Sequence, residues 1–240
     1  MEVTSAFQTL LEQSLDFLFP KRCLGCFEEG EWICAQCFLR LPVHYQQECF
    51  FCHRPSTDGR FCFSCASEHA LTGVLVNGVY ADAFLRVAIQ TLKYHGVRDL
   101  VTPLTSLLHH SLYSFFEHEG QVSQSSWVVV PVPLAIQRLR ARGFNQSFLL
   151  AEKLVVHFSL PLFSALERTR FIQPQTELSH EERRASVRDA FLFRSGFDLH
   201  DRSVLLVDDV ITTGSTLDAC ARVLKHAGAK EVWGVALASG

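Results

Sequence analysis

The sequence predicts an α/β fold in which a mostly parallel sheet is flanked by helices, with a small cysteine-rich module before it. From Leu71 onward, short apolar strands alternate with amphipathic helical segments, which is typical of a parallel sheet covered by helices. The strand Val204–Val207 is apolar throughout, as expected of a strand buried on both faces. Eight of the nine cysteines lie between Cys23 and Cys65. The chain is therefore divided into an N-terminal segment, a cysteine module and an α/β domain, at residues 1–20, 21–70 and 71–240.

The N-terminal segment is predicted to form an amphipathic helix. Its apolar side chains recur at helical spacing, at Phe7, Leu10, Leu11, Leu15 and Leu18. The polar positions are Gln, Ser, Glu and Asp rather than Lys or Arg, which favours a helix packed on its own protein over a membrane anchor. The segment lacks the features of a signal peptide, and no apolar run approaches the ~20 residues of a membrane span. We therefore expect a cytoplasmic, reduced protein without a membrane span.

The α/β domain is predicted from its periodicities to alternate strands with helices along the chain. Strands are expected at Val74–Tyr80, Trp127–Pro131, Val204–Val207 and Val232–Ala238. Helices are expected at Asp82–Tyr94, Leu100–Glu117, Asn145–Phe158 and Ser215–Ala227, the last of them ending before Gly228. Polar stretches occupy Gln121–Ser126 and Arg168–Asp189.

A hydroxyl-rich turn follows the strand Val204–Val207. Asp208 and Asp209 come where the strand ends, at the edge where open α/β sheets bind ligands. The turn that leads into the next helix offers backbone N–H groups and hydroxyls to an anion such as a phosphate, at Thr212, Thr213, Gly214, Ser215 and Thr216. The two carboxylates accept hydrogen bonds only, which suits vicinal sugar hydroxyls. The complete string favours a sugar-phosphate site over a generic turn whose acidic pair faces solvent or holds a structural metal.

A cationic segment follows the strand end Val130–Pro133. Three arginines alternate along it, and Gly143 lets the backbone come close to a ligand. The arginines are Arg138, Arg140 and Arg142. The segment suits a second anionic group, although a solvated basic loop is the alternative when it is taken alone.

The turn from Val207 to Thr216 resembles the binding motif for phosphoribosyl pyrophosphate (PRPP) of type I phosphoribosyltransferases. Together with the arginine segment and the cysteine module, it resembles the ComF (ComFC) family of competence proteins over nearly the whole chain from Cys23 onward. The resemblance implies a type I phosphoribosyltransferase fold. It also implies that Asp208 and Asp209 face the ribose hydroxyls, that Thr212–Thr216 hold the 5′-phosphate, and that Mg²⁺ bridges pyrophosphate and ribose oxygens.

The same resemblance implies roles for other segments. The arginine segment corresponds to the pyrophosphate-binding loop, and Lys93-Tyr94-His95-Gly96 to a Lys-Tyr-x-Gly element in which Lys93 contacts PRPP. An exposed helix C-terminus that favours cations is an equally good reading of Lys93 and His95. Gln175, Leu178 and Arg183 resemble the mobile loop that closes over PRPP, which places Arg183 with Asp208 and Asp209 among the expected catalytic residues. Ser186 replaces the Asn that the family usually has.

The cysteine module contains two sets of paired Cys-x-x-Cys motifs. The first is Cys23, Cys26, Cys34 and Cys37, and the second is Cys49, Cys52, Cys62 and Cys65. Two such turns supply the four thiolates of a tetrahedral structural Zn²⁺ site, so two zinc ions are expected rather than disulfides. We take the quartets as consecutive, with an interleaved pairing as the alternative. Cys220 is expected in the core of a helix.

Charge distribution bears on the partners. The net charge of −3 gives no overall attraction to nucleic acid or anionic lipid. Residues 134–195, however, contain ten Lys or Arg against six Asp or Glu, whereas residues 20–70 contain five against six. Three functions therefore remain: an enzyme that transfers the phosphoribosyl group of PRPP, a PRPP or nucleotide sensor without turnover, and a factor that handles single-stranded DNA with other competence proteins. The long closing-type loop favours the enzyme.

Overall fold

The computed structural model describes residues 20–41, 48–118, 126–169 and 190–240. The predicted N-terminal helix, apart from Pro20, and nearly all of the loop Gln121–Ser126 lie outside these ranges. So does the polar stretch beyond Thr169, with Gln175, Leu178, Arg183 and Ser186. The chain forms two compact units, Met1–Leu41 and Pro42–Gly240. The first cysteine quartet belongs to the first unit and the second quartet to the second.

The described part of the first unit is a small hairpin with one helical turn. An antiparallel bridge joins Arg22 to Glu29, and the short helix α1 spans Ala35–Phe38. Its buried side chains include Cys23, Cys37 and Ile33. A core this small buries little apolar surface, which is why such modules depend on a bound metal.

In the second unit, a parallel sheet is the central layer. Among the described residues, five strands form this sheet: β1 (Gly73–Val79), β2 (Trp127–Pro131), β5 (Ser203–Val207), β6 (Val210–Ile211) and β7 (Glu231–Ser239). Their order is β1-β7-β5-β2, with the short β6 beside β7, and all pairings are parallel. A separate antiparallel pair joins β3 (Leu166–Arg168) to β4 (Phe191–Phe193).

Helices cover both faces of the sheet. They are α2 (Phe63–Ala66), α3 (Ala83–His95), α4 (Val101–His118), α5 (Ile136–Arg142), α6 (Gln146–Phe158) and α7 (Ser215–His226). Phe115 of α4 packs on Trp127 and Trp233, on one face. On the other face, Leu217 and Cys220 of α7 share a core with alternate residues of the strands. The predicted α/β class with a mostly parallel sheet is confirmed.

The second cysteine quartet belongs to the same core as α7. Cys49, Phe61 and Cys65 are buried in one cluster with Val74 of the first strand.

The described helices include none that combines the length and apolar character needed to cross a bilayer.

Candidate functional site

Two adjacent carboxylates lie at the carboxyl end of β5. Asp209 is buried and Asp208 is half-buried. Oδ1 of Asp208 accepts hydrogen bonds from the backbone N–H of Asp209 and from the hydroxyl of Ser147, both at 2.9 Å. The pair is therefore held in a fixed orientation by its own backbone and by the first turn of α6.

Burial first, and the charge of the neighbouring Asp209 second, raise the pKa of the Asp208 carboxyl to about 7, although Ser147 and Lys93 act to lower it. Desolvation and a like charge both disfavour the ionised form of a carboxyl group. A partner that donates hydrogen bonds or brings positive charge would favour ionisation. The pair is thus suited to a ligand with hydroxyl donors.

Lys93 joins this pair from the last turn of α3. Asp82 caps the start of the helix, its side chain accepting from the N–H of Leu85 at 2.7 Å, and Gly96, with φ 69°, caps its end. Nζ of Lys93 lies 2.7 Å from Oδ2 of Asp209, and both side chains are largely buried. Lys93 is therefore paired with Asp209 and is not an exposed cation at the helix end.

The turn after the carboxylates presents hydroxyl groups at the start of α7. Thr212 and Thr213 are exposed, and the hydroxyls of Thr213 and Ser215 are 2.8 Å apart. Gly214 has φ 71°, a conformation that glycine adopts without strain. The N–H groups of the first helical turn have few partners within a helix, so this 12-residue helix favours an anion at its start.

The arginine segment is a helix rather than a loop. α5 spans Ile136–Arg142, and none of its residues is buried. Because residues four apart share a helix face, Arg138 and Arg142 lie on one side and Arg140 on the opposite side. The segment ends at Gly143, which has φ 80°. The alternate spacing in the sequence therefore does not produce a row of three side chains.

Contacts show which face of α5 is near the carboxylates. The guanidinium of Arg142 lies 5.5 Å from the ring centre of Tyr94, next to Lys93, and donates to Oε1 of Gln146. Burial has the largest effect on the pKa of Arg168 and lowers it, and the positive charge of Arg138 lowers it further. The negative charge of Asp208 acts to raise the same pKa. Arg142 thus lies beside the residue that follows Lys93, and Arg138 lies within electrostatic range of Arg168.

Two residues near the site were missed in the sequence. Ser147 donates a hydrogen bond to Asp208. Arg168, at the end of β3, is half-buried beside Phe191, and the charge of Asp208 acts to raise its pKa. Neither belongs to a recognisable motif. Ser147 follows the helix cap Asn145, whose side chain accepts from the N–H of Ser147 at 3.1 Å. That cap was the only local signal that this turn is ordered.

Each cysteine quartet forms a compact set of sulfur atoms. The four Sγ atoms of each consecutive quartet lie within 4.8 Å of one another. The nine cysteines, all within the described residues, are free thiols. A tetrahedral Zn²⁺ with Zn–S bonds of ~2.3 Å separates its sulfurs by about 3.8 Å, and the Cys26–Cys34 and Cys52–Cys62 pairs are 3.6 and 3.5 Å apart. The quartets fit two zinc ions in the consecutive pairing.

In each quartet the pKa of at least one thiol is lowered, which favours the thiolate, and in the second quartet this holds for Cys62 as well. Burial acts to raise the pKa of Cys23, but backbone N–H groups from Cys34, Gly25 and Cys26 lower it to about 6. In the second quartet, burial again acts to raise the pKa of Cys49, whereas N–H groups that include that of Phe51 lower it to about 7. Thiolates are the form that binds metal.

Comparisons with known proteins agree with this architecture. The phosphoribosyl transferase domain family matches residues 145–240. The chain is 31% identical to competence protein F of Haemophilus influenzae over 223 residues, which is 90% of each chain. It is 39% identical over 209 residues to the DNA utilization protein YhgH of Escherichia coli K12, covering 85% of this chain and 90% of that one. It is 25% identical over 218 residues to competence protein ComFC of Bacillus subtilis, covering 86% and 83%. The predicted phosphoribosyltransferase-type fold with a zinc-binding module is confirmed.

Proposed function

Because the chain belongs to the ComF family of competence proteins and contains a phosphoribosyltransferase domain, we propose that it binds PRPP at the carboxyl edge of its sheet. One observation carries the proposal. A fixed carboxylate pair, Asp208 and Asp209, is followed directly by exposed hydroxyls at the start of α7. The carboxylates are hydrogen-bond acceptors that suit the hydroxyls of a ribose, and the turn that follows them suits a phosphate at its 5′ position.

The remaining contacts follow from the position of each group. The 5′-phosphate would be bound by Thr212–Thr216, and the ribose hydroxyls would donate to Asp208 and Asp209. The pyrophosphate would be bound by Arg138 and Arg142, with Gly143 at the end of their helix. Lys93 would contribute a positive charge between the carboxylates and the pyrophosphate. Arg140, on the opposite face of α5, would contribute only to the overall positive electrostatic potential around the helix.

Mg²⁺ is the expected companion of PRPP. It prefers oxygen ligands, and the carboxylates of Asp208 and Asp209 with the ligand's own oxygens form such a donor set. When bound, it would neutralise charge on the departing pyrophosphate. The residues of the chain orient the ribose and bind both anionic ends, whatever the metal supplies.

The reaction class that this site supports is phosphoribosyl transfer. The bond from C1 of ribose to the pyrophosphate oxygen breaks, pyrophosphate leaves with the bonding electrons, and a nucleophilic acceptor forms the new bond to C1. Asp208 and Asp209 would hold the sugar in place. Arg183, in the proposed covering loop, would contribute a further positive charge to the departing group.

A second candidate function is the handling of single-stranded DNA with other competence proteins. The names of the relatives refer to competence and DNA utilization. In the described residues, Arg138, Arg140 and Lys153 are exposed on neighbouring helices, which gives a local basic surface for phosphates. Eight clustered cysteines in two zinc-binding quartets, none of them joined in a disulfide, also suit a reducing compartment, which favours a cytoplasmic location for either function.

Calorimetric titration with PRPP and ribose 5-phosphate, with and without Mg²⁺, tests the proposal. We expect saturable binding of both, with PRPP bound more tightly in Mg²⁺. A pyrophosphate-release assay over a panel of nucleobases then distinguishes the enzyme from a sensor. If the protein binds neither ligand, the proposal is contradicted. Titration with single-stranded DNA under the same conditions tests the second candidate function.

A further inference from the structure

The second cysteine quartet lies beside the hydroxyl-rich turn. We call residues Cys49–Ala70 the second knuckle and residues Thr212–Thr216 the phosphate loop. The second knuckle covers the same face of the sheet as α7, the helix that begins within the phosphate loop. Cys49 and Cys65 are buried in the same core as Leu217 of that helix.

Two aromatic rings of the second knuckle touch the phosphate loop at Gly214. A Cβ atom placed on Gly214 would lie 2.9 Å from Cε1 of Phe51 and 3.2 Å from Cε1 of Phe50. Such separations leave no room for a side chain. The rings therefore lie directly against the backbone of the loop at Gly214, which has a positive φ and caps the start of α7.

The ring of Phe51 is itself held in place. It stacks on His69 with ring centres 3.6 Å apart and a 9° interplanar angle, and it contacts Phe61 edge-on at 4.9 Å. Nδ1 of His69 in turn lies 3.6 Å from Oδ1 of Asp218, in the first turn of α7. The ring is thus fixed between its own knuckle and the helix that follows the loop.

Asp218 joins the two elements by further hydrogen bonds. Its Oδ1 accepts from the N–H of Ala70 at 2.7 Å, and its Oδ2 accepts from Arg222 at 2.8 and 3.1 Å. Arg222 also donates to the carbonyl of Glu68 at 3.0 Å. The last residues of the second knuckle are therefore attached to the first two turns of α7, directly after the phosphate loop.

The positions of the two rings depend on the metal-binding turn. Phe50 and Phe51 are the two residues between Cys49 and Cys52, and the N–H of Phe51 bonds to the sulfur of Cys49. Zinc bound by the quartet would fix this turn, because metal sites of this kind order the chain that carries their ligands. Loss of the metal would release the rings and, with them, the support of the loop.

We propose that Phe50 and Phe51 are positioning residues for the phosphate loop, and that metal bound at the second quartet sets the order of this loop. The consequence for affinity rests on the proposed function, since it concerns the 5′-phosphate of the same ligand. The first quartet, which belongs to the other compact unit, is not assigned this role.

Hydrogen exchange of the ligand-free full chain tests the positioning without any ligand. In Phe51→Ala, amides of residues 214–220 should exchange at least tenfold faster, with those of β5 unchanged. Phe63→Ala is the matched control, because Phe63 belongs to the same knuckle but is 94% exposed. Phe51→Leu, which keeps an apolar side chain against the loop without extending it, should exchange at a rate between those of the unaltered protein and Phe51→Ala. Unchanged exchange in Phe51→Ala would overturn the proposal.

Ligand titration adds a readout that general destabilisation would not reproduce. Phe51→Ala should bind ribose 5-phosphate about tenfold more weakly and ribose 1-phosphate with unchanged affinity, because ribose 1-phosphate has no 5′-phosphate for the phosphate loop. Equal losses for the two would overturn the proposal in favour of a folding defect. If the unaltered protein binds neither ligand, the proposed function fails, while hydrogen exchange still decides the positioning role.

Cysteine variants extend the test to the metal. Cys52→Ser should accelerate exchange at residues 214–220, and Cys26→Ser, at the corresponding position of the first quartet, should not. Zinc content measured on each variant confirms which site has been emptied. Equal acceleration in both variants would overturn the assignment to the second quartet, and Phe51→Ala remains decisive if Cys52→Ser does not fold.

Discussion

Nζ of Lys93 lies 2.7 Å from Oδ2 of Asp209, and the side chains of the two residues are only 14% and 6% exposed. The ligand-free site therefore already contains a positive charge against its acidic pair. The ion pair offsets part of the cost of burying two adjacent carboxylates. A ligand whose hydroxyls bind these carboxylates enters a site that is ordered before it arrives.

Replacing Lys93 tests how far the fold depends on this ion pair. Removing one partner of a buried pair leaves an uncompensated charge and typically costs ~3–5 kcal/mol. We expect Lys93→Met to lower the free energy of unfolding by about 3 kcal/mol. Urea denaturation measures it, with Lys153→Met, at an exposed position of α6, as the control. A loss below about 1 kcal/mol, the usual value of an exposed pair, would contradict this expectation.

The raised pKa of Asp208 predicts a pH dependence of stability. In the unfolded chain this carboxyl ionises near its ordinary pKa of ~3.9, whereas burial and Asp209 raise the folded value to about 7. Between these values the folded state binds the extra proton. The contribution of Asp208 to stability is therefore fully present at the acidic end of this window and is lost as the pH rises towards 7.

Asp208→Asn isolates this contribution, because the amide keeps an acceptor for Ser147 but does not titrate. From pH 5 to pH 8 the unaltered protein should lose unfolding free energy relative to the variant, because only the unaltered protein loses the Asp208 contribution. Glu152→Gln, at an exposed position, should show no comparable change. A difference that stays constant with pH would refute the raised pKa.

Much of the fold could be predicted because it depends on local patterns. The apolar run Val204–Val207 and the paired cysteines are visible within a few residues of sequence, and both lie where they were expected. The helix α5 was not predicted, because none of its residues is buried and it therefore lacks an apolar stripe. The contact of Ser147 with Asp208 joins residues 61 positions apart, which no local pattern can reveal.

The two quartets predict about two zinc ions per chain in the purified protein. Each quartet provides four sulfurs within 4.8 Å of one another, and structural sites of this kind contribute directly to folding. Elemental analysis should give a ratio near two, falling to about one in Cys26→Ser and in Cys52→Ser. Zinc below one equivalent in the unaltered protein would contradict the assignment.

The last prediction concerns the two faces of α5. If the Arg138–Arg142 face binds pyrophosphate, Arg142→Ala should weaken PRPP binding by roughly tenfold or more, since a charged hydrogen bond contributes ~1.5–3 kcal/mol. Ribose 5-phosphate, which lacks the pyrophosphate, should be affected little. Arg140→Ala is the matched control, because it removes the same charge from the opposite face of the same helix.

Titration of both variants with PRPP, ribose 5-phosphate and single-stranded DNA distinguishes the two candidate functions. A DNA backbone contacts the exposed guanidinium groups of Arg138 and Arg140 by charge, so Arg140→Ala should then lose DNA affinity and show a shallower salt dependence. Arg142→Ala, whose guanidinium is half-buried against Tyr94, should lose less DNA affinity. A pyrophosphate fixed on a ribose at Asp208 and Asp209 would reach only the Arg138–Arg142 face, so Arg142→Ala alone should lose affinity for PRPP. Equal losses of PRPP in the two variants would show that the segment acts by its overall charge rather than as a pyrophosphate site.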